Sequence, residues 1–498
     1  MSDSSQKIKH ETLAAVDLGS NSFHLQIGRV VDEQIYLLDS FREPVRLGAG
    51  LTRERRIDRT TQLRALEAMG RFGERLRGFP RGAVRAVGTN ALRVAKNAEQ
   101  FLAEAGAILG HPIEVIFGRE EARLIYIGVA HTLPPSEERR LVVDIGGGST
   151  ECIIGTGLEP ELTESITMGC VSYSLKYFAD GKLEKSGFKK AEVAAANELQ
   201  RIVKSYRRAG WKQAVSSSGT AKALASILRE SGWCEQGISA EGLDKLRSQF
   251  IKAGEADKLR IAGLREDRSA ILPGGLAIMS AVLSEFQIDR IDVSEGALRQ
   301  GVLYDLLGRV RHHDMREATV AQFARRYHVD AVQAGRVGTL AARLYAGLAT
   351  ETGEGDALVL GWAGALHEIG ISIAHAGYHK HSAYIISLAD MPGFSQMEQA
   401  RLSRLVLAHR GKLSKLEGLP ARSGDWPLIL ALRLGALFYL SRSDIALPPI
   451  GCRATDSGFQ LAIERAWLEQ HPLTEAALEN ESDEWRSLGM KLEIRAAA

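Results

Sequence analysis

One short pattern occurs twice in this chain. Val16-Asp17-Leu18-Gly19-Ser20-Asn21-Ser22 runs on to Ile27-Gly28, and Val143-Asp144-Ile145-Gly146-Gly147-Gly148-Ser149 runs on to Ile154-Gly155. The copies register without a gap at an offset of 127 residues, position 17 against position 144. In each, an apolar run ends at Asp, a Gly/Ser/Asn turn follows, and a second alternating run begins, which is a hairpin with a small-residue tip. Glycine lets the backbone take positive φ and approach an anion closely. Successive N–H groups and Ser hydroxyls can then cradle phosphate oxygens. An Asp beside such a turn repels phosphate unless a divalent cation lies between them, and hard cations take carboxylate oxygens. The expected cradle is therefore Gly19, Ser20, Asn21 and Ser22 facing Gly146, Gly147, Gly148 and Ser149, with Asp17 and Asp144 as metal ligands. A single tip of this kind is also an ordinary turn; duplication in constant register is what argues for a clamp.

At 498 residues the chain exceeds one hydrophobic core, so several domains are expected. A net charge of +2 supplies no global field for a polyanion, so any such ligand must meet local basic patches. Cys152, Cys170, Cys234 and Cys452 are scattered without a C-x-x-C pair, which suits a reducing compartment and argues against a disulfide framework or a structural zinc. The opening stretch is polar and no apolar run is long enough to span a bilayer. A cytoplasmic protein is expected, with peripheral association at a membrane as the alternative.

Along the chain, Thr60 to Arg77 carries apolar residues at helical spacing. Ala83 to Val87 reads as a strand, Gly88-Thr89-Asn90 as a turn and Ala91 onward as a helix that Thr89 or Asn90 can cap. Arg93 falls in its first turn, where it can add a bidentate phosphate donor; a solvated surface charge is the plainer reading. Ile113 to Phe117 and Arg119 to Val129 form a second strand-turn-helix unit, with Glu120 and Glu121 in the helix's first turn. Acidic residues there commonly complement the helix dipole, yet water attack on phosphorus needs a base. Ser218-Gly219-Thr220 is a third small-residue turn at a helix start. Repeated units of this kind imply an α/β architecture with turns gathered at one edge of the sheets.

These residues resemble the phosphate loops of the actin-like ATPase superfamily and, more closely, the exopolyphosphatase/guanosine pentaphosphate phosphatase family. The resemblance rests on both turns, Val87-Gly-Thr-Asn-Ala-Leu-Arg93, Gly118-Arg-Glu-Glu-Ala-Arg-Leu124, Ser218-Gly219-Thr220 and Gly296-Ala-Leu-Arg-Gln-Gly301. Thr132 to Arg140, with Pro134-Pro135 and a charge run, reads as a linker and puts the first boundary near 125 to 138, giving lobes 1–125 and 126–310; the resemblance implies that both are actin-like, ribonuclease H-like folds with the active site in the cleft between them. It places the water-activating residue on Glu121, with Glu120 as fallback, and it implies a homodimer. The cofactors expected are Mg2+ or Mn2+, with a monovalent cation such as K+ as a further candidate.

From about 311 strand patterns thin out and helical ones dominate. His367-Glu368, His381 and His409 resemble a helical HD-type domain over 311–470, followed by a small C-terminal region, 471–498. The departures are Glu368 in place of Asp, Gln333 to Val337 without the expected His, and no Asp near Ala436. A metal site lacking three of its usual ligands is not expected to be catalytic. His379, Lys380 and His381 are locally basic and could line an anion path. The leading expectation is an exopolyphosphatase acting on inorganic polyphosphate, with guanosine pentaphosphate 5′-phosphohydrolase as runner-up and no nucleic-acid partner. A kinase of the same superfamily and a non-enzymatic sensor are the other classes; a base that activates water argues against both.

Overall fold

The computed structural model of the protein describes residues 11–311, 313–348, 355–416 and 418–497; the polar opening stretch 1–10 lies outside them. The chain divides into two compact units, Met1–Met315 and Arg316–Ala498.

The first unit contains the same sheet pattern twice. In the first copy, β1 (Thr12–Leu18), β2 (Phe23–Val31) and β3 (Gln34–Glu43) form an antiparallel meander, and β4 (Val84–Gly88) and β5 (Ile113–Val115) add in parallel, giving the order β3-β2-β1-β4-β5. In the second, β6 (Arg140–Ile145), β7 (Thr150–Thr156) and β8 (Glu159–Ile166) repeat the meander. The strands β9 (Gln213–Ser217), β10 (Ile238–Ser239) and β11 (Arg290–Val293) complete the order β10-β11-β9-β6-β7-β8. The repeat seen in the sequence extends to an irregularity. The register of β2 against β3 shifts between Ile27 and Gly28, and that of β7 against β8 shifts between Ile154 and Gly155. A bulge bends its strand and raises its twist, so the shared Ile-Gly gives both meanders the same curl.

Each sheet has its own core, and a third apolar cluster joins them. Leu13, Ala15 and Val87 from the first sheet and Val142, Ile153 and Val215 from the second pack on the helices Gly118–Ala130 and Leu298–Val310. These helices cross where glycines remove the side chains: a Cβ on Gly301 would lie 1.7 Å from the Leu124 carbonyl oxygen, and one on Gly128 would lie 2.0 Å from that of Ala297. Beside the crossing, Arg85 donates to Asp305 at 2.6 Å, Arg123 grips Glu120 through two bonds of 2.7 Å, and Arg123 also reaches Asp305. The surrounding guanidinium groups hold the Asp305 carboxyl well below its ordinary range despite burial. The boundary expected near 125 to 138 spans the end of the helix Gly118–Ala130 and the connection that leads to β6 at Arg140.

The second unit is helical from Met315–Arg326 through Ala331–Leu348, Asp356–Leu366, Tyr378–Leu388, Gln396–Ala408 and Asp425–Phe438. It then closes with a small sheet, β12 (Gly451–Thr455), β13 (Gly458–Glu464) and β14 (Lys491–Ala497), in that order. The small C-terminal region expected from 471 packs back on this unit. β14 pairs in parallel with β13, and Trp485 is fully buried against Trp426 and Phe459. Among the described residues no helix is long and apolar enough to cross a membrane.

Gly301→Ala forces the two central helices apart, and overpacking of this kind costs ~1–3 kcal/mol. The thermal midpoint of the variant, followed by circular dichroism, is expected to fall by several degrees; an unchanged midpoint would show that the crossing tolerates a methyl group.

Candidate active site

The two duplicated turns face each other across a cleft of about 300 Å3 in the first unit. A Cβ on Gly147 would lie 3.0 Å from that of Ser20, and one on Gly148 would lie 3.3 Å from the Ser20 Oγ and 2.4 Å from the Asn90 Oδ1. Side chains at 147 and 148 would fill the space between the lobes. The turn carbonyls are tied back into their own lobes: Ser20 accepts from Gly48 N–H at 2.7 Å, Asn21 from Arg46 at 2.7 Å, Gly146 from Cys170 at 2.9 Å and Gly147 from Val171 at 2.9 Å. In a trans peptide the next N–H points opposite to the carbonyl. The N–H groups of Asn21, Ser22, Gly147 and Gly148 are therefore turned away from those anchors, as an anion cradle requires. Gly19, Ser20, Asn21, Ser22, Gly146 and Ser149 line the same cleft, and so do Ser218, Gly219 and Thr220 at the start of the helix Ser218–Glu230. Gly219 has a steric reason: a Cβ there would sit 2.3 Å from the Arg268 Nη2.

Carboxylates crowd the floor. Asp17 ends β1, with its Oδ1 sealed from solvent and without a hydrogen-bond partner. Burial pushes its pKa up to about 7, with Glu121 and Asp144 adding repulsion and Arg299 opposing them. Asp144 ends β6 and accepts from the Ser217 hydroxyl at 2.6 Å. Burial chiefly, and Glu121 next among the raising influences, take it to about 6 against that hydrogen bond. Glu151 stands opposite Asp144 in the hairpin register and accepts from the Ser165 Oγ at 2.7 Å. Burial, Glu121 and Asp144 raise its pKa well above the ordinary carboxylate range. No trio of His, Cys, Asp or Glu among the described residues forms a metal cage by itself. Two aspartates with an unbonded buried oxygen instead match an ion that shares its shell with phosphate and water, as Mg2+ does.

The adjacent glutamates go separate ways. Glu121 lines the cleft, whereas Glu120 is buried in the ion network with Arg123. Arg93 is not among the cleft-lining residues. Its guanidinium bonds the Glu121 Oε2 at 2.7 Å and the Ile116 carbonyl at 3.0 Å, so it holds the glutamate rather than reaching into the cleft. The helix Asn90–Val94 is only five residues long, and neither Thr89 nor Asn90 caps it through a side-chain bond as anticipated.

The cations that do face the cleft are Arg42, Lys222, Arg268 and Arg299, from four distant parts of the chain. Arg42 pairs with Asp267 at 3.2 Å and Lys222 with Glu295 at 2.7 Å. Arg268 and Arg299 make no ion pair within 4.0 Å among the described residues. Only Arg299 lay in a motif singled out from the sequence; the other three stand alone in theirs. Glu151 did carry a signal, as the cross-strand neighbour of Asp144 in the predicted hairpin.

His379, Lys380 and His381 lie in the first turn of the helix Tyr378–Leu388 in the second unit and do not line this cleft. Burial and the neighbouring Lys415 push His379 down to about 4. Gln333, from the stretch that lacks the HD-type His, Glu368 and Ala436 surround one pocket of about 230 Å3 with His367 and His409. Glu368 is engaged there by Arg442.

Twin sheets curled alike, joined by crossed helices and closing two small-residue turns on a cleft of mixed charge, define a two-lobed actin-like protein. The model of the Ppx/GppA phosphatase family matches residues 26–310, more than half of the chain, and that of Ppx/GppA phosphatase, domain III, matches 315–482. The chain belongs to the Ppx/GppA phosphatase family, whose members are phosphatase enzymes. It is 26% identical to an exopolyphosphatase from Cytophaga hutchinsonii, covering 60% of this chain and 98% of that one with a TM-score of 0.53. It is 25% identical to the Ppx/GppA family member of Aquifex aeolicus, covering 60% and 98% with a TM-score of 0.51.

Because Asp17 and Asp144 are both raised in the folded state, they favour folding most below their unfolded pKa near 4, and that contribution is lost as pH rises through about 6 to 7. In buffer without divalent cations, Asp17→Asn is expected to gain stability relative to wild type between pH 5 and 8. Thermal midpoints that run parallel across that range would show that Asp17 carries no such strain.

Proposed function

We propose that the chain is an exopolyphosphatase that releases terminal orthophosphate from inorganic polyphosphate by attack of water. The observation that carries this reading is the joint placement of Glu121, two phosphate cradles and unpaired arginines in one cleft. Among its described lining residues there is no Phe, Tyr or Trp on which a base could stack. What the cleft can recognise along its length is phosphate, which favours the polymer over guanosine pentaphosphate. The terminal phosphate would lie between the turns, bound by their N–H groups and by Ser20, Asn21, Ser22 and Ser149. Arg268, Arg299, Lys222 and Arg42 would offset its charge, in a reaction that is mostly positioning and electrostatics.

Glu121 has one oxygen free for the proton. Its Oε2 is held by Arg93, leaving Oε1 to accept a proton from water as the water oxygen bonds to phosphorus. The bridging P–O bond breaks, orthophosphate leaves, and the shortened chain keeps the bridging oxygen. Arg93 thereby becomes a positioning group for the base. Asp17 and Asp144 would hold a divalent ion such as Mg2+ or Mn2+, which when bound neutralises phosphate charge and relieves repulsion between the carboxylates.

Phosphate release from long-chain polyphosphate and from guanosine pentaphosphate, measured side by side, tests the choice of substrate. Faster release from the polymer is expected; none from the polymer would overturn it. Glu121→Gln should lower turnover by ~10²–10⁴ with little loss of binding, because removing a base costs about that much. Glu120→Gln should instead lower the thermal midpoint. Near-normal turnover in the Glu121 variant would move the base elsewhere.

A further inference from the structure

The duplicated hairpins place different residues at one equivalent position. In β1 and β2, Asp17 stands opposite His24; in β6 and β7, Asp144 stands opposite Glu151. Positions 24 and 151 are related by the same offset of 127 that relates the two aspartates. One lobe thus carries a neutral heterocycle where the other carries an acid.

His24 has a definite job for its ring. Its Nδ1 lies 2.6 Å from the Arg299 Nη1, and both residues line the cleft. A guanidinium only donates, so Nδ1 carries the lone pair and the ring proton sits on Nε2. Burial and the fields of Arg299, Arg42, Arg268 and Lys222 all oppose protonation, and Asp17 lies across the strand. Arg299 lies in the field of Asp17 and Asp144 but makes no ion pair within 4.0 Å among the described residues, whereas Arg93 is spent on Glu121. A guanidinium fixed by a neutral acceptor keeps its full charge for a ligand; one fixed by a carboxylate does not.

We propose that His24 is a positioning residue that holds Arg299 toward the phosphate without engaging it in an ion pair, and that an acid at this position would switch Arg299 off. This rests on the cleft being the phosphate site proposed above. The alternative, that His24 merely fills space, makes no distinction between neutral and acidic replacements of similar size.

The test is binding of inorganic tripolyphosphate by calorimetry, in a Glu121→Gln background that prevents turnover. His24→Glu is expected to weaken binding roughly 10- to 100-fold, the worth of a charge-assisted hydrogen bond. It should also reduce the slope of log affinity against log salt by about 0.7–0.9, the loss of one cation–phosphate contact. Arg299→Gln should do the same, and the loss in His24→Glu with Arg299→Gln should be smaller than the sum of the two single losses. His24→Gln, a neutral acceptor, should bind within about threefold of the parent, a difference worth under 1 kcal/mol. Additive losses in the double variant would mean simple repulsion and overturn the proposal. Equal losses in His24→Gln and His24→Glu, or none in His24→Glu, would overturn it too. Failure of the wild type to hydrolyse polyphosphate would sink the proposed function while leaving this coupling to be read from binding.

Discussion

Like charges gather on the cleft floor against their own repulsion. Two carboxylates ~4 Å apart at an effective dielectric near 20 repel by about 4 kcal/mol, and here Asp17, Glu121, Asp144 and Glu151 feel one another's fields. Each is relieved differently. Arg93 takes Glu121, Ser217 donates to Asp144, Ser165 donates to Glu151, and Asp17 is left with an oxygen that nothing among the described residues satisfies. Arg268 and Arg299 face the same space without ion-pair partners. A site with acids below and unspent guanidinium groups beside them is complementary to an anion that arrives with a cation.

That concentration of charge depends on the central helices. With 3.6 residues per turn, neighbouring side chains leave a helix about 100° apart, so Glu120 and Glu121 cannot share an environment. The crossing sealed by Gly128 and Gly301 fixes which way the helix Gly118–Ala130 is turned. Glu120 then meets Arg123 inside the core, and Glu121 meets the cleft. The buried network through Arg85, Arg123 and Asp305 resists any rotation that would exchange them, because a buried charge stripped of its partner is costly. Glu121 is thus oriented toward the cleft by packing some distance away from it.

The duplicated turns were legible because their signal is local: an apolar strand, an acid and small residues, twice, in constant register. The strands and helices of the first unit followed from the same periodicities. Roles that depend on reach were not legible. Arg93 sits in a short helix beside a phosphate turn, and nothing in its spacing shows that its guanidinium bends back to Glu121. Arg42, Lys222 and Arg268 come from a strand, a helix and a short 3₁₀ turn, and only the closed fold makes them neighbours. The closing sheet of the second unit went unseen because β12 alternates Cys, Arg, Ala and Thr without a marked apolar face, and its pairing is settled by β13 and β14.

Duplication alone would make a poor catalyst. Two identical lobes present the same groups from both sides, and a symmetric site cannot distinguish the attacking water from the leaving chain. Displacement at phosphorus needs that distinction, with a base on one side and the departing oxygen on the other. The backbone kept its symmetry down to the bulges at Gly28 and Gly155, while the side chains at its equivalent positions diverged. His24, bonded to Arg299, stands beside Asp17 where Glu151 stands beside Asp144. The repeated scaffold supplies the paired turns, and its broken symmetry supplies the chemical difference between them that such a displacement would need.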